Sequence, residues 1–157
     1  AVTAATAQVG DTRRAATNRA FGTCDGFGQE AILTNTQNAT ASTTSASFVV
    51  MPSTTIAGGG SGDGVDLYTV TLSGEAFVGG GGNYEVQAQV SIDGGPFINM
   101  NPNQPDTFHS SAARETHTMT WCREIDANST TFRIVWRKNG GGTAYIDDYV
   151  MRVERSS

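Results

Sequence analysis

His109, Glu115 and His117 come nearest in this chain to a metal or acid–base cluster, because imidazole nitrogens and a carboxylate are the groups that ligate metals and move protons. On an extended chain Glu115 and His117, two positions apart, share one face. No further ligand type follows closely, and a catalytic pair needs an orienting partner. The residues therefore read as a loop histidine and a half-buried strand histidine near Trp121. Asp63, Asp66, Asp147 and Asp148 form a second group. The first two flank a glycine-rich loop, and the last two stand in or at the start of a strand, where aspartate is disfavoured. They offer oxygens for calcium, or they pair with Arg133, Arg137 or Arg152 as strand-edge carboxylates. Tyr145 falls on the opposite phase from Ile146 and is the aromatic to inspect as a stacking platform for a sugar.

Cys24 and Cys122 are the only cysteines. A bridge between them would close a loop of roughly 100 residues, worth about 4 to 5 kcal/mol in the chain-entropy model; the alternative is two buried thiols. Neither lies in a CxxC, which argues against a metal knuckle or a thioredoxin-type site. There is no GxSxG and no phosphate loop, since the glycine run from Gly58 to Gly64 is not followed by Lys-Ser or Lys-Thr. Catalysis is not expected.

The elements that position these residues are strands. Only 16% of the 157 residues are charged, leucine is scarce, and glycine, threonine, serine and asparagine are abundant, which excludes a helical bundle or coiled coil. Tyr84, Val86, Ala88, Val90 and Ile92 alternate with Glu85, Gln87, Gln89 and Ser91, giving one face to a core and one to water. Asp93-Gly94-Gly95 then suits a tight hairpin. Thr116 to Ile125, the run through Phe132, Ile134 and Trp136, and the closing run through Tyr149, Met151 and Val153 repeat the pattern. In the strand from Val65 to Phe77 the apolar phase slips between Leu67 and Tyr68, which predicts a β-bulge there. About eight strands result, an antiparallel β-sandwich of jelly-roll type.

Residues 1–30 are alanine- and threonine-rich and cannot build a core. They read as an N-terminal arm, with Arg13, Arg14 and Arg19 placed to dock on an acidic neighbouring surface, ahead of a jelly-roll domain over residues 31–157. The chain opens on alanine, so an initiator methionine or a signal peptide is expected to have been removed. A formal charge of -5 argues against a nucleic-acid partner, and no apolar run is long enough to span a membrane as a helix.

The segment Thr131-Phe132-Arg133-Ile134-Val135-Trp136-Arg137, the glycine turn after it, and Asp147-Asp148-Tyr149-Val150-Met151-Arg152-Val153-Glu154 resemble the closing strands of C1q/TNF-like jelly-roll proteins of bacterial and phage surfaces. The runs from Leu67 to Ala76 and from Val90 to Gly94 fit the same order, so the likeness covers about residues 40 to 155. It implies a compact homotrimer on a virion, extracellular or cell surface, used for capsid decoration, as a fibre or in adhesion, with capsid, fibre or cell-surface components as partners and no catalysis. Two further readings stand beside it: a carbohydrate-binding β-sandwich recognising glycans, with a structural calcium, and a filament subunit whose arm completes a neighbour's sheet.

Overall fold

The computed structural model describes residues 29–60 and 64–156. The strands are β1 (Gln29–Gln37), β2 (Ala41–Thr43), β3 (Val49–Val50), β4 (Ile56–Gly59), β5 (Asp66–Gly79), β6 (Asn83–Ile92), β7 (Ile98–Asn99), β8 (Asp106–His109), β9 (Glu115–Ile125), β10 (Ser129–Asn139) and β11 (Thr143–Ser156). All pairings are antiparallel. One sheet runs β1-β11-β5-β9, with β2 beside β11; the other runs β3-β10-β6-β7, with β4 beside β10 and β8 beside β6. Short strands that share one edge of a long neighbour act as a single interrupted strand: β1 with β2, β3 with β4, β7 with β8. Eight strand positions then form two four-stranded sheets, each interleaving early and late strands, which is the jelly-roll order.

The alternation read from β6 is what packs the two sheets. Tyr84, Val86, Ala88 and Val90 are fully buried and meet Phe132, Ile134 and Trp136 of β10 on the same side of their sheet. Tyr84 stands edge-on to Trp136 at 5.9 Å, a geometry aromatic quadrupoles favour. From the facing sheet come Val70, Leu72, Trp121, Ile146, Met151 and Val153. Asp93 and Gly94 both take positive φ, and Gly95 N donates to Ile92 O at 2.9 Å, closing the turn that Asp93-Gly94-Gly95 predicts. The outer faces differ in chemistry. On the β6–β10 sheet, Arg137 pairs with Glu85 at 2.7 Å and Arg133 donates to Gln89 at 2.9 Å. On the other, hydroxyls answer hydroxyls, Ser73 with Thr118 and Thr71 with Thr120.

Three sequence expectations need correction. The register of β5 with both neighbours is continuous through Leu67 and Tyr68, so no bulge lies there. The phase slips because Asp66, Leu67 and Tyr68 are all buried. The bulge lies on β11, where Asp148 and Tyr149 stand between the pairs Asp147–Glu75 and Val150–Ser73, opposite the single residue Gly74. Asp148 there has φ 43°, and a Cβ on Gly74 would come within 2.7 Å of Tyr149 Cβ. The predicted 58–64 loop begins as strand β4, because Gly58 and Gly59 pair with Thr130 and Ser129 of β10. His109 ends strand β8 rather than lying in a loop. β1 starts at Gln29, and Arg13, Arg14 and Arg19 of the expected arm lie outside the described residues.

At one end of the sandwich the β5–β6 and β10–β11 connections cross between sheets, side by side. Their glycines are needed there: Gly142 has φ 90°, and a Cβ on it would sit 1.9 Å from Gly79 O. Lys138, fully buried, ties the two turns by donating from Nζ to Gly81 O at 2.7 Å and Asn139 O at 2.8 Å. Burying a cation is tolerable when its protons are met by carbonyls in this way.

Candidate functional site

The glycine-turn end also carries the one group of His, Cys, Asp or Glu side chains, among the described residues, whose ligand atoms converge as a metal would require: His109, Glu115 and His117. Two sheets supply them. His109 is held on β8 by its pairing with Tyr84 of β6, while Glu115 and His117 are held on β9 opposite Ala76 and Gly74 of β5. His109 Nδ1 lies 2.8 Å from His117 Nε2. Glu115 Oε2 is 3.5 Å from His117 Nε2 and 3.9 Å from His109 Nδ1. On its far side His109 Nε2 meets Ala113 O at 3.0 Å, and a carbonyl accepts only, so Nε2 carries the proton and Nδ1 presents a lone pair. His109 is 4% exposed, His117 half-buried and Glu115 exposed, so the cluster opens to solvent on the side of β9. The tilted Phe108 ring, 5.7 Å from His117, forms its apolar flank.

Beside it Arg114 donates from Nη1 to Glu75 Oε1 at 2.8 Å and to Asp147 Oδ2 at 3.3 Å. The hydrogen bond to Glu75 leads in raising the guanidinium's pKa, desolvation opposes it, and the charge of Glu75 with the hydrogen bond and charge of Asp147 adds to the rise. Its carbon stands 4.5 Å over the Phe77 ring, and Phe77 stacks on Tyr145 at 4.4 Å with 5° between the planes. Tyr145 thus takes the outward phase expected of it, half-buried against Phe77. Arg114 and Phe77 were not singled out by sequence reasoning, although the odd position of Phe77 against even, buried Tyr68, Val70 and Leu72 carried the signal.

Of the aspartates that are described, Asp66 and Asp147 do not come together. Asp66 registers with the start of β5 and Asp147 with Glu75, nine positions along the same strand, which at about 3.3 Å per residue is roughly 30 Å. Asp66 is 1% exposed and faces Arg155 Nε at 3.7 Å, Asp147 is engaged by Arg114, Asp148 is exposed, and Asp63 lies outside the described residues. No calcium site uses both strand positions. Cys122 is buried and disulfide-bonded; Cys24 lies outside the described residues.

At the opposite end, Arg155 Nη1 donates to Gly60 O at 2.6 Å and Tyr68 Oη to Gly59 O at 3.0 Å. They line a half-open cavity of about 190 Å³ together with Leu33, Phe132 and Val153. Burial pushes the Tyr68 phenol up, against the lowering pull of Arg155.

No family profile and no curated protein matches the sequence. Among solved structures, the chain is similar to the infectious bursal disease virus VP2 subviral particle, at 13% identity and TM-score 0.47 over 83% of this chain and 34% of that one. It is similar to dimeric latent PorU from Porphyromonas gingivalis, at 14% identity and TM-score 0.48 over 89% of this chain and 14% of that one. It is similar to Eiger TNF from S. frugiperda, at 6% identity and TM-score 0.37 over 82% and 94%. The chain spans about a third or less of the first two. No helix among the described residues is long and apolar enough to cross a membrane.

Proposed function

We propose that this chain is a non-enzymatic structural or binding protein of a virion or extracellular surface, assembled as a homotrimer through the side of the sandwich where β1 and β3 lie. One observation carries the reading. The large hydrophobic residues left exposed among the described residues are Leu33 at 38%, Val49 at 39% and Val50 at 43%, and all three lie on edge strands of that one side. An edge strand presents unpaired backbone groups, and apolar side chains upon it invite a neighbour rather than repel one. The C1q/TNF-like pattern of the closing strands supports the same assembly. Cys24, the only other cysteine, is the proposed partner of Cys122.

Light scattering on the full chain tests the assembly. A mass near three chains is the expected result, falling to one chain in Val50→Lys with an unchanged far-UV circular dichroism spectrum. A native chain that runs as a monomer at high micromolar concentration sinks it. A second reading, glycan binding, has its own support in the half-exposed Phe77–Tyr145 stack, since sugar rings pack on aromatic faces. Binding on a glycan array that is lost in Tyr145→Ala would favour it.

A further inference from the structure

We propose that His109, Glu115 and His117 form a binding site for one divalent transition-metal ion of the zinc type, which ties the two sheets together at the glycine-turn end. The whole chain contains two histidines, and the fold brings both into contact from strands of different sheets. Zinc bonds of about 2.0 to 2.2 Å in tetrahedral directions place ligand atoms about 3.3 Å apart. The three separations here, 2.8, 3.5 and 3.9 Å, bracket that value, so movements of a few tenths of an ångström admit the ion.

The protonation pattern points the same way. His109 Nδ1 and the Glu115 carboxylate are both acceptors, and with His109 Nε2 committed to Ala113 O, only the Nε2 proton of His117 lies between them. Three electron-pair donors thus share one proton. When a dication enters, His117 moves that proton to its Nδ1, and its Nε2 becomes the third ligand; no other atom is displaced. The Ala113 carbonyl is the outer contact that metal-bound histidines commonly have, fixing ring orientation and tautomer before the ion arrives. Arg114, the basic side chain of the connecting loop, is turned away to Glu75 and Asp147 and leaves Glu115 to the site. Two imidazoles and one carboxylate select zinc, cobalt, nickel or copper over calcium and magnesium, which prefer all-oxygen sets. The fourth position opens on the exposed side of Glu115 and is filled by water.

The test uses the full, tag-free chain, stripped with a chelator and titrated with zinc chloride against a chromogenic competitor. One equivalent bound with micromolar or tighter affinity is expected, together with a raised melting temperature. The imidazole NMR signals of both histidines should shift, and Co2+ should give the intense visible absorption of a four-coordinate site. His117→Ala and Glu115→Gln, both at solvent-facing positions, should each weaken zinc at least tenfold while keeping the apo circular dichroism spectrum. Sub-stoichiometric binding, zinc affinity unchanged in His117→Ala, or equal affinity for calcium would overturn the proposal.

Discussion

The two ends of the sandwich both join the sheets through polar side chains, and they do so in opposite states of completion. At the β4 end, Arg155 reaches from β11 to the Gly60 carbonyl while its Nε faces the buried Asp66, so a guanidinium already occupies the place where two sheets and a carboxylate meet. At the glycine-turn end, Lys138 is met by carbonyls, but a few residues away two imidazoles and a carboxylate converge with a single proton among them. The same architectural need, closing an end across sheets, is met at one end by a resident cation and at the other leaves room for one. Arginine brings five fixed donors and cannot lose its charge, whereas histidine can surrender a lone pair to an ion.

The largest effect that separates the ends should come from the glycine turns. Gly142→Ala forces a Cβ toward Gly79 O at a φ that L residues avoid, and a loss of more than about 4 kcal/mol is expected in denaturant unfolding. Gly141→Ala, one position away in open space, should stay within about 0.5 kcal/mol and serves as the control. Next, Arg155→Met removes the guanidinium from beside a carboxylate that is 1% exposed, and should cost about 3 kcal/mol. A loss under about 1 kcal/mol would mean that this end is held by packing alone.

Alkaline pH gives a smaller effect, and its sign is fixed. Burial raises the phenol pKa of Tyr84 most, and those of Tyr68 and Tyr149 as well. The unfolded chain ionises these groups near pH 10 while the folded chain keeps them protonated. Their contribution is therefore complete below about pH 10 and is lost as pH rises toward the folded values, by at most about 1.4 kcal/mol per pH unit for each phenol. Denaturation midpoints at pH 8, 10 and 11 should fall accordingly. The smallest change should be a gain. Tyr84 Oη is buried with no hydrogen-bond partner, so Tyr84→Phe should stabilise the chain by about 1 kcal/mol at neutral pH and flatten the alkaline slope.

How far the sequence could be read depended on where each contact is decided. β6 was legible because its period of two is a local property, and Asp93-Gly94 because both residues tolerate positive φ. The bulge was misplaced because a phase slip in β5 marks burial of both faces there. The extra residue lies on the partner strand, where it answers Gly74. The histidine cluster was named from the sequence and set aside for a different reason. His109 is fixed by β8 against β6 and His117 by β9 against β5, so their meeting is set by the packing of one sheet on another and by no spacing in the chain. Asp66 and Asp147 illustrate the reverse: residues that look like one ligand set by type lie nine positions apart along β5.

β11 lies between β1 and β5, yet it is the last of these strands to be synthesised. Until its residues leave the ribosome, β1 and β5 have no common neighbour, and Trp121 and Leu72 have no Met151 or Val153 beside them in the core. A nascent chain halted after β10 therefore holds all the strands of one sheet against another that lacks its second strand. Exposed apolar surface in that interval gives the sequence its greatest exposure to premature association, and it ends only when the final strand slides into place.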